Sequence, residues 1–362
     1  MSAAEVFRAS YQAESLSARI DAIEKFLVES DVLVDKAKKT SEMERIARLE
    51  LRYRDVLFMK WSIRVEQASK VAGAAYANGA KWQNALRLAD TVMQRWKEDV
   101  RSTAARTLEQ TYRLGRKAAY RRALGKLKTL SYPLSERSPI QVRKAEEGEK
   151  DKEIPKLSFD LADEKAIEAL IRQEFMWLGS FYEDVAPTVR DAIKPILEQG
   201  IGRIEAGKRI REVIESKFKD FRIPAGFRGP ARYYFEGIAA NAVTNARVQG
   251  KIASLARLGV TKYTLVNPMD ERTTIICEHL HGTTYKVADA VDFLERLRGA
   301  RSIEEYKSIN PWLKQDQFLA LHQKGPDALA KAGVMLPPFH FRCRTTVDIA
   351  EESMGFESLE SP

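Results

Sequence analysis

Both cysteines and all four histidines of this 362-residue chain lie between positions 277 and 343. Thiolates and imidazoles are the side chains that zinc prefers in tetrahedral sites, and the same groups form disulfides or Cys-His catalytic pairs. The sequence therefore places any special chemistry near the C-terminal end. Two clusters carry it, Cys277-Glu-His279-Leu-His281 and His340-Phe-Arg-Cys343.

The composition excludes several protein classes. Hydrophobic residues make up 44% of the chain, which is enough for ordinary buried cores. The N-terminus lacks the pattern of a secretion signal, and no run of about 18 apolar residues occurs, so we expect neither export by a signal peptide nor a membrane span. Two cysteines do not make a disulfide framework, and we expect synthesis in a reducing cytoplasm.

The elements that must position the clusters are mostly helical. Apolar residues recur at spacings of three and four through most of the chain, whereas residues 262–266 and 345–349 have strand composition. We therefore predict a mainly α protein with a small C-terminal α+β module that carries a short β-sheet. The predicted segments are a long-helix domain at 1–130, a charged linker at 131–158, a helical domain at 159–258, the Cys/His module at 259–352 and a tail at 353–362.

Positive charge is concentrated in one predicted helical segment. Residues 81–128 contain thirteen Lys and Arg against four Asp and Glu, a surplus equal to the net charge of +9 for the whole chain. On a helix, five of these cations share a side, an arrangement that suits phosphates or an acidic partner, although a solvated helix face has the same pattern. The five are Arg113, Arg116, Lys117, Arg121 and Lys128.

The two clusters and their flanks resemble a known family. The segments 267–282 (NPMDERTTIICEHLHG) and 337–345 (PPFHFRCRT) are similar to the C-terminal signature of the phage Mu F-like head morphogenesis proteins. That signature is approximately Asp-x-Arg-x-Cys-x-x-Cys-x-x-Leu-x-Gly, then an insert, then Pro-Pro-x-His-x-x-Cys-Arg-Cys. The resemblance covers roughly residues 190 to 350. Its other matching residues are Asp270, Arg272, Gly282 and Arg344.

The chain departs from the family pattern at two cysteine positions, where it has Thr274 and Thr345. The resemblance then leaves three metal-ligand positions matched, namely Cys277, His340 and Cys343. A fourth ligand would have to be His281 or, alternatively, His279. His281 would be reached by one helical turn from Cys277, and a strand would put Cys277, His279 and His281 on one face.

Three interpretations of the clusters stay open. They could hold a structural zinc ion, they could be thiols or a disulfide that pin two strands together, or they could be catalytic. His322, between the clusters, is expected to be a surface histidine or one with its hydrogen bonds satisfied. We also expect Arg272 and Arg344 to form ion pairs with Asp270 and Asp348.

The resemblance implies a role in assembly. Members of the family are minor head proteins, internal to the capsid of a tailed phage and associated with the portal vertex, and they act in head assembly and in DNA packaging or ejection. We therefore expect a non-enzymatic virion protein assembled in the bacterial cytoplasm, with portal, scaffold or major capsid protein and packaged double-stranded DNA as partners. The alternative is a metal-dependent nuclease or another Cys/His hydrolase acting on nucleic acid.

Overall fold

A computed structural model describes residues 41–129, 159–198, 202–222 and 228–351. Over these ranges the chain is mainly α-helical, with a three-stranded antiparallel sheet near its C-terminal end, and this confirms the predicted fold class. The predicted linker at 131–158, the tail at 353–362 and residues 1–40 of the predicted N-terminal domain lie outside the described residues. In the same ranges no helix is both long enough and apolar enough to cross a bilayer.

Helices occupy most of the described chain, and they follow the apolar periodicity of the sequence. Glycine and proline end or begin several of them, as at Gly299 and Pro326. The helices are α1 Glu42–Ala77, α2 Trp82–Gln94, α3 Trp96–Asp99, α4 Arg101–Thr129, α5 Leu161–Glu198, α6 Arg203–Lys219, α7 Ala231–Arg257, α8 Ile275–Leu280, α9 Val287–Gly299, α10 Ile303–Ile309, α11 Gln315–His322 and α12 Pro326–Lys331.

The described strands form two small sheets. β1 (Asp220–Arg222) pairs antiparallel with β2 (Arg228–Pro230), a hairpin that the sequence analysis did not predict. β3 (Lys262–Val266), β4 (Thr284–Lys286) and β5 (Thr346–Ile349) form the other sheet in the order β4-β3-β5, with antiparallel pairing throughout. The predicted strands at 262–266 and 345–349 are thus present, the second one residue shorter.

The described residues fall into two compact units that differ from the consecutive segments expected from sequence. Unit 1 contains the described parts of Met1–Thr107 and Glu174–Ala239, and unit 2 contains those of Leu108–Gln173 and Ala240–Pro362. The reason is that three long helices, α4, α5 and α7, contribute residues to both units. Unit 2 contains the three-stranded sheet and both Cys/His clusters.

Unit 1 is built on α1, which starts at a capping box. The Ser41 hydroxyl accepts a hydrogen bond from the Glu44 backbone N–H, and the Glu44 carboxylate accepts one from the Ser41 N–H. Further along, Trp61 packs edge-on against Trp96, with ring centroids 5.0 Å apart, and both rings contact Phe235. These aromatic side chains are almost fully buried, and each side chain of this kind removes a large apolar area from water.

In unit 2, α4 and α7 cross with their backbones in contact. A Cβ atom at Gly115 would lie 2.2 Å from the Arg247 carbonyl oxygen, and one at Gly250 would lie 2.1 Å from the Tyr112 carbonyl oxygen. No real Cβ tolerates such distances, so both positions require glycine for the crossing. The close approach also lets the Ser254 hydroxyl donate to the Arg116 carbonyl oxygen, at 3.0 Å.

The crossing gives a stability prediction with an internal control. Gly250→Ala should lower the free energy of unfolding by about 1–3 kcal/mol, because the helices must separate to admit the methyl group. Gly125→Ala, also in α4 but with open space around its Cβ, should instead raise stability by about 0.5–1 kcal/mol. Urea unfolding followed by circular dichroism measures both, and equal effects of the two changes would contradict the described crossing.

Glu174 is a buried carboxyl in unit 1. It lies at 6% exposure, and its Oε1 accepts a hydrogen bond from the Tyr53 hydroxyl at 2.7 Å. Burial raises the pKa of Glu174 to about 7, although the Tyr53 hydrogen bond opposes the increase. Since the pKa is higher in the folded than in the unfolded chain, folding takes up a proton between these two values. Stability is therefore retained below the unfolded pKa and falls as pH rises through about 7.

We predict that Glu174→Gln removes this pH dependence. Between pH 4 and pH 8 the wild-type chain should lose about 3 kcal/mol of unfolding free energy relative to the variant, which keeps an acceptor for Tyr53 but cannot ionise. Urea unfolding of both proteins at several pH values measures the difference. Parallel stability curves across this range would show that Glu174 does not titrate in the folded protein as described.

Candidate metal centre

The register of the three-stranded sheet brings the two clusters together. β3 pairs antiparallel with β5, with Val266 opposite Thr346. The residues that follow β3 therefore lie at the same end of the sheet as the residues that precede β5. The first cluster begins shortly after β3 and the second ends just before β5. Pairing of the two strands therefore places both clusters at this end of the sheet.

The short helix α8 orients the first cluster. Thr274 is its N-cap residue, with an extended backbone, and the Thr274 hydroxyl accepts a hydrogen bond from the Cys277 backbone N–H at 3.3 Å. Cys277 is buried on the inner side of the first turn, while Thr274 is exposed. After α8, Gly282 adopts φ 79°, a left-handed conformation that glycine allows without strain, and the chain turns into β4.

Three ligand groups converge at this edge. The Cys277 Sγ lies 2.9 Å from the His340 Nε2 and 3.9 Å from the Cys343 Sγ. The ligand atoms of Cys277, His340 and Cys343 all lie within 4.8 Å of one another, and these residues form the one group of three or more such side chains found among the described residues. Cys277 and Cys343 are buried free thiols, and His340 is half-buried.

The orientation of the His340 ring is fixed by its other nitrogen. Nδ1 lies 2.9 Å from the Phe341 carbonyl oxygen, which can only accept a hydrogen bond. The Nδ1 atom must therefore carry a proton, and in the neutral ring Nε2 presents a lone pair to Cys277. A hydrogen bond from one ring nitrogen to a carbonyl is the arrangement that prepares the other nitrogen of a histidine as a metal ligand.

The turn that joins His340 to Cys343 contains a strained residue. Arg342 has φ 62°, which side chains other than glycine, asparagine and aspartate rarely adopt. The Cys343 backbone N–H lies 3.3 Å from the His340 carbonyl oxygen, which closes this turn. Such strain costs about 1–3 kcal/mol and is often found at ligand sites, where surrounding contacts hold it.

A second layer of polar side chains supports the three ligand groups. Thr345 is buried with its Oγ1 3.2 Å from the Cys277 Sγ, and it donates a hydrogen bond to the Asn267 side-chain oxygen. The Asn267 amide in turn donates to the Cys277 carbonyl oxygen. From α7, the Asn241 side chain accepts from the Cys343 N–H at 3.3 Å. The sequence analysis missed Asn241 and Asn267 because isolated amides in a chain carry no spacing signal.

The two thiols titrate as an unequal pair. A hydrogen bond with Cys343, together with burial, raises the pKa of Cys277 to about 12. Burial also raises the pKa of Cys343, but its hydrogen bonds with Cys277 and with Thr345 outweigh this effect and lower the pKa to about 6. Burial lowers the pKa of His340. Its hydrogen bond and its charge interaction with Cys277 together outweigh burial, so the pKa of His340 is raised. The first proton of the dithiol is thus lost easily, and the second needs a nearby positive charge.

The donor set fits a zinc-type cation. Two Zn–S bonds of about 2.3 Å in a tetrahedron separate the sulfurs by about 3.8 Å, and the observed separation is 3.9 Å. The same geometry requires about 3.5 Å between sulfur and nitrogen, so the His340 ring would move outward slightly from its 2.9 Å contact. A dication would also supply the charge that ionises both thiols.

The remaining histidines lie apart from this group. His281, expected as the fourth ligand, follows α8 with an extended backbone, and its Nδ1 accepts the Asn267 backbone N–H at 3.1 Å. This differs from the expected ligand set, because α8 ends at Leu280 and the group of converging ligand atoms does not include His281. His279, the alternative, is exposed and packs against His322, with ring centroids 4.9 Å apart. His322 is half-buried.

An ion pair joins the two motif segments beside the thiols. Arg344 donates to both carboxylate oxygens of Asp270, at 2.8 and 2.5 Å, and this holds the pKa of Asp270 well below its usual range. Of the ion pairs expected among Arg272, Arg344, Asp270 and Asp348, the described residues show one, between Arg344 and Asp270. The Arg272 backbone N–H, rather than its side chain, binds Asp270, and Asp348 pairs with Arg122 at 2.9 Å.

The predicted basic face of α4 is incomplete. Arg116 is 3% exposed and forms an ion pair with Asp163, which also accepts from the Tyr112 hydroxyl. It is therefore a core residue, because α4 buries this side against the rest of unit 2 and a buried guanidinium requires a carboxylate partner. Arg113 is exposed but pairs with Glu109 and lies over the Phe159 ring. Two more predicted residues, Lys117 and Arg121, are exposed, and the Lys128 side chain lies outside the described residues.

Comparisons with protein-family models, curated proteins and solved structures gave no match to this chain.

The geometry predicts which histidine matters for metal binding. His340→Ala and Cys343→Ser should weaken zinc binding by more than the 10- to 100-fold typical of lost supporting contacts, because each removes a ligand. His281→Ala, the matched control, should weaken zinc binding by no more than this 10- to 100-fold range, because it removes no ligand. Competition with a chromogenic chelator measures the affinities. Zinc at a hundred times its dissociation constant should also add about 2.7 kcal/mol to wild-type stability.

The opposite order of effects, with His281 needed and His340 dispensable, would contradict the described site. Circular dichroism of each variant checks that the fold survives, so that lost binding is not mistaken for unfolding.

Proposed function

We propose that this chain is a minor head protein of a tailed phage, of the Mu F-like head morphogenesis type, internal to the capsid and associated with the portal vertex. It would act in head assembly and in the packaging or ejection of DNA. The observation that carries the proposal is that both segments of the resemblance lie side by side. Asp270 from the first segment pairs with Arg344 from the second, next to the Cys277, His340 and Cys343 group.

This proximity adds weight to the resemblance because a chance similarity gives no reason for contact. The segments 267–282 and 337–345 are separated by an insert that contains α9 to α12. Short segments so far apart in sequence meet only where the fold requires it. Here their contact follows from the pairing of β3 with β5, and the motif residues themselves form the contact.

A metal ion at this end of the sheet would serve as a structural cross-link. Cys277 on α8, and His340 and Cys343 before β5, would hold it between the two segments. When bound, the ion supplies ligand bonds that replace the large apolar core that three short strands cannot provide. The chain's own contribution is to orient His340 through Phe341 and to hold the Cys277 backbone through Asn267.

The exposed cations of α4 support contact with a polyanion. Lys117 and Arg121 lie on the exposed side of the helix, and the segment from Thr111 to Lys128 contains no acidic residue. Such a surface suits packaged double-stranded DNA or an acidic face of the portal, scaffold or major capsid protein. These cations lie in unit 2, as do Cys277, His340 and Cys343. Binding of DNA or of an acidic protein surface to them would weaken as the salt concentration increases.

A second candidate is a metal-dependent nuclease or another Cys/His hydrolase acting on nucleic acid. The observation in its favour is the 2.9 Å contact between the Cys277 Sγ and the His340 Nε2, a distance typical of a nucleophile and its base. Against it, Cys277 is only 4% exposed, which leaves little access for a polymeric substrate.

The composition of virus particles tests the proposal. We expect quantitative mass spectrometry to find a few copies of this chain in purified particles of the phage that encodes it, both in DNA-filled heads and in empty precursors. Particles assembled with the His340→Ala chain should contain fewer copies, whereas His281→Ala should not change the number.

Absence from both kinds of particle would overturn the structural role and favour the hydrolase. A host cytoplasmic protein of similar abundance, followed in the same samples, shows how much of the signal is carry-over from the lysate.

A further inference from the structure

The group formed by Cys277, His340 and Cys343 provides three donors, one fewer than the four in closed structural zinc sites. Closed sites use four protein ligands, whereas sites with three protein ligands keep a position for water or another molecule. Over the described ranges, no further His, Cys, Asp or Glu joins Cys277, His340 and Cys343. The two positions where the family pattern has additional cysteines are threonines here, and both lie at this group.

The two threonines occupy different sides of the group. Thr345 is 1% exposed, and its Oγ1 lies 3.2 Å from one sulfur and 3.3 Å from the other, so it fills the buried side. Thr274 is exposed, and its Oγ1 lies 3.1 Å from the His340 Nε2. The side that faces solvent is therefore bordered by a hydroxyl, which is a poor zinc ligand compared with thiolate or imidazole.

The histidines near the group are held in other contacts. His281 accepts the Asn267 backbone N–H, and that bond helps to hold the residue after β3. His279 packs against His322 and Phe318, with ring centroids 4.9 and 6.3 Å away. Recruiting either ring as a fourth ligand would break contacts that the structure makes.

We propose that a metal ion held by Cys277, His340 and Cys343 keeps one coordination position on the Thr274 side for a small exogenous donor. This inference rests on the metal centre of the proposed function. The donor is monodentate and has a nitrogen or sulfur ligand atom, like an imidazole or a thiolate. The same metal ion would thus cross-link the two segments and bind an exogenous ligand.

The charges at the site leave the choice of donor to its ligand atom. Two thiolates neutralise a dication, and Asp270 compensates the nearby Arg344, so the centre neither attracts nor repels a ligand strongly by its net charge. Selection then depends on donor type, and a centre with two sulfur ligands and one nitrogen ligand favours soft or borderline donors over oxygen. The exposed position of Thr274 gives a small molecule access from water.

Cobalt substitution tests the inference on the full-length chain. Co²⁺ takes the place of zinc, and its absorption reports both thiolate ligands and changes in coordination. With wild-type protein, imidazole and, separately, 2-mercaptoethanol should shift the ligand-field bands in a saturable way. Thr274→Cys should supply a third thiolate, raise the Co²⁺ affinity about a hundredfold or more, and abolish both shifts.

Thr274→Ser is the matched control. It keeps a hydroxyl to accept the Cys277 N–H at the start of α8, and it should behave like wild type in both the affinity and the spectral shifts. If Thr274→Cys fails to fold, the wild-type titration with Thr274→Ser still decides the question.

The outcomes separate this inference from the proposal on which it rests. If no thiolate-to-cobalt absorption appears with wild-type protein, the metal centre itself is refuted. If cobalt binds through thiolates but neither probe shifts the bands, the centre is closed and the open position is refuted, whereas the structural metal remains.

Discussion

The antiparallel pairing of β3 with β5 is the constraint on which the site depends. Leu265 and Val347 face each other and are both fully buried, so the register is held by the core. A slip of one residue would turn these side chains toward solvent. A slip of two would keep the apolar face but displace Cys343 by about 6.6 Å, which would destroy its 3.9 Å contact with Cys277. Packing of a few apolar residues therefore sets the geometry of the thiols.

The insert between the clusters is tied to the same sheet. The Tyr263 hydroxyl donates to the Met335 carbonyl oxygen at 2.9 Å, and the Tyr285 hydroxyl donates to that of Val334 at 3.0 Å. Both tyrosines are buried, so these bonds satisfy polar atoms that would otherwise be costly. They also hold the end of the insert against β3 and β4, immediately before the chain reaches His340. The arrangement of Cys277, His340 and Cys343 thus depends on contacts made by residues that have no ligand chemistry.

Much of the fold could be predicted from sequence because apolar periodicity and helix-breaking residues are local signals. The α-helical class and the strands at 262–266 and 345–349 follow from them. The β1–β2 hairpin could not be predicted, since three-residue strands show no periodicity. The division into units could not be predicted either, because it depends on which parts of α4, α5 and α7 pack together, and that is decided by distant residues.

The candidate site shows the same limit. The family resemblance indicated that Cys277, His340 and Cys343 belong together, but the role of His281 depended on where α8 ends. Arg116 looked like a surface cation, because its periodicity fits the basic side of α4. Its partner Asp163 lies in a different helix, and a sequence pattern does not reveal such a pair. Residues with ligand chemistry could be identified from the sequence, whereas the tertiary partners of Arg116 and His281 could not.

We propose that Cys277, His340 and Cys343 hold one metal ion, and X-ray absorption spectroscopy of the purified, reduced and zinc-loaded protein is the most direct test. We expect one equivalent of zinc with two sulfur neighbours at about 2.3 Å and a histidine nitrogen at about 2.0 Å. Zinc surrounded only by oxygen and nitrogen, or well below one equivalent, would refute the metal centre.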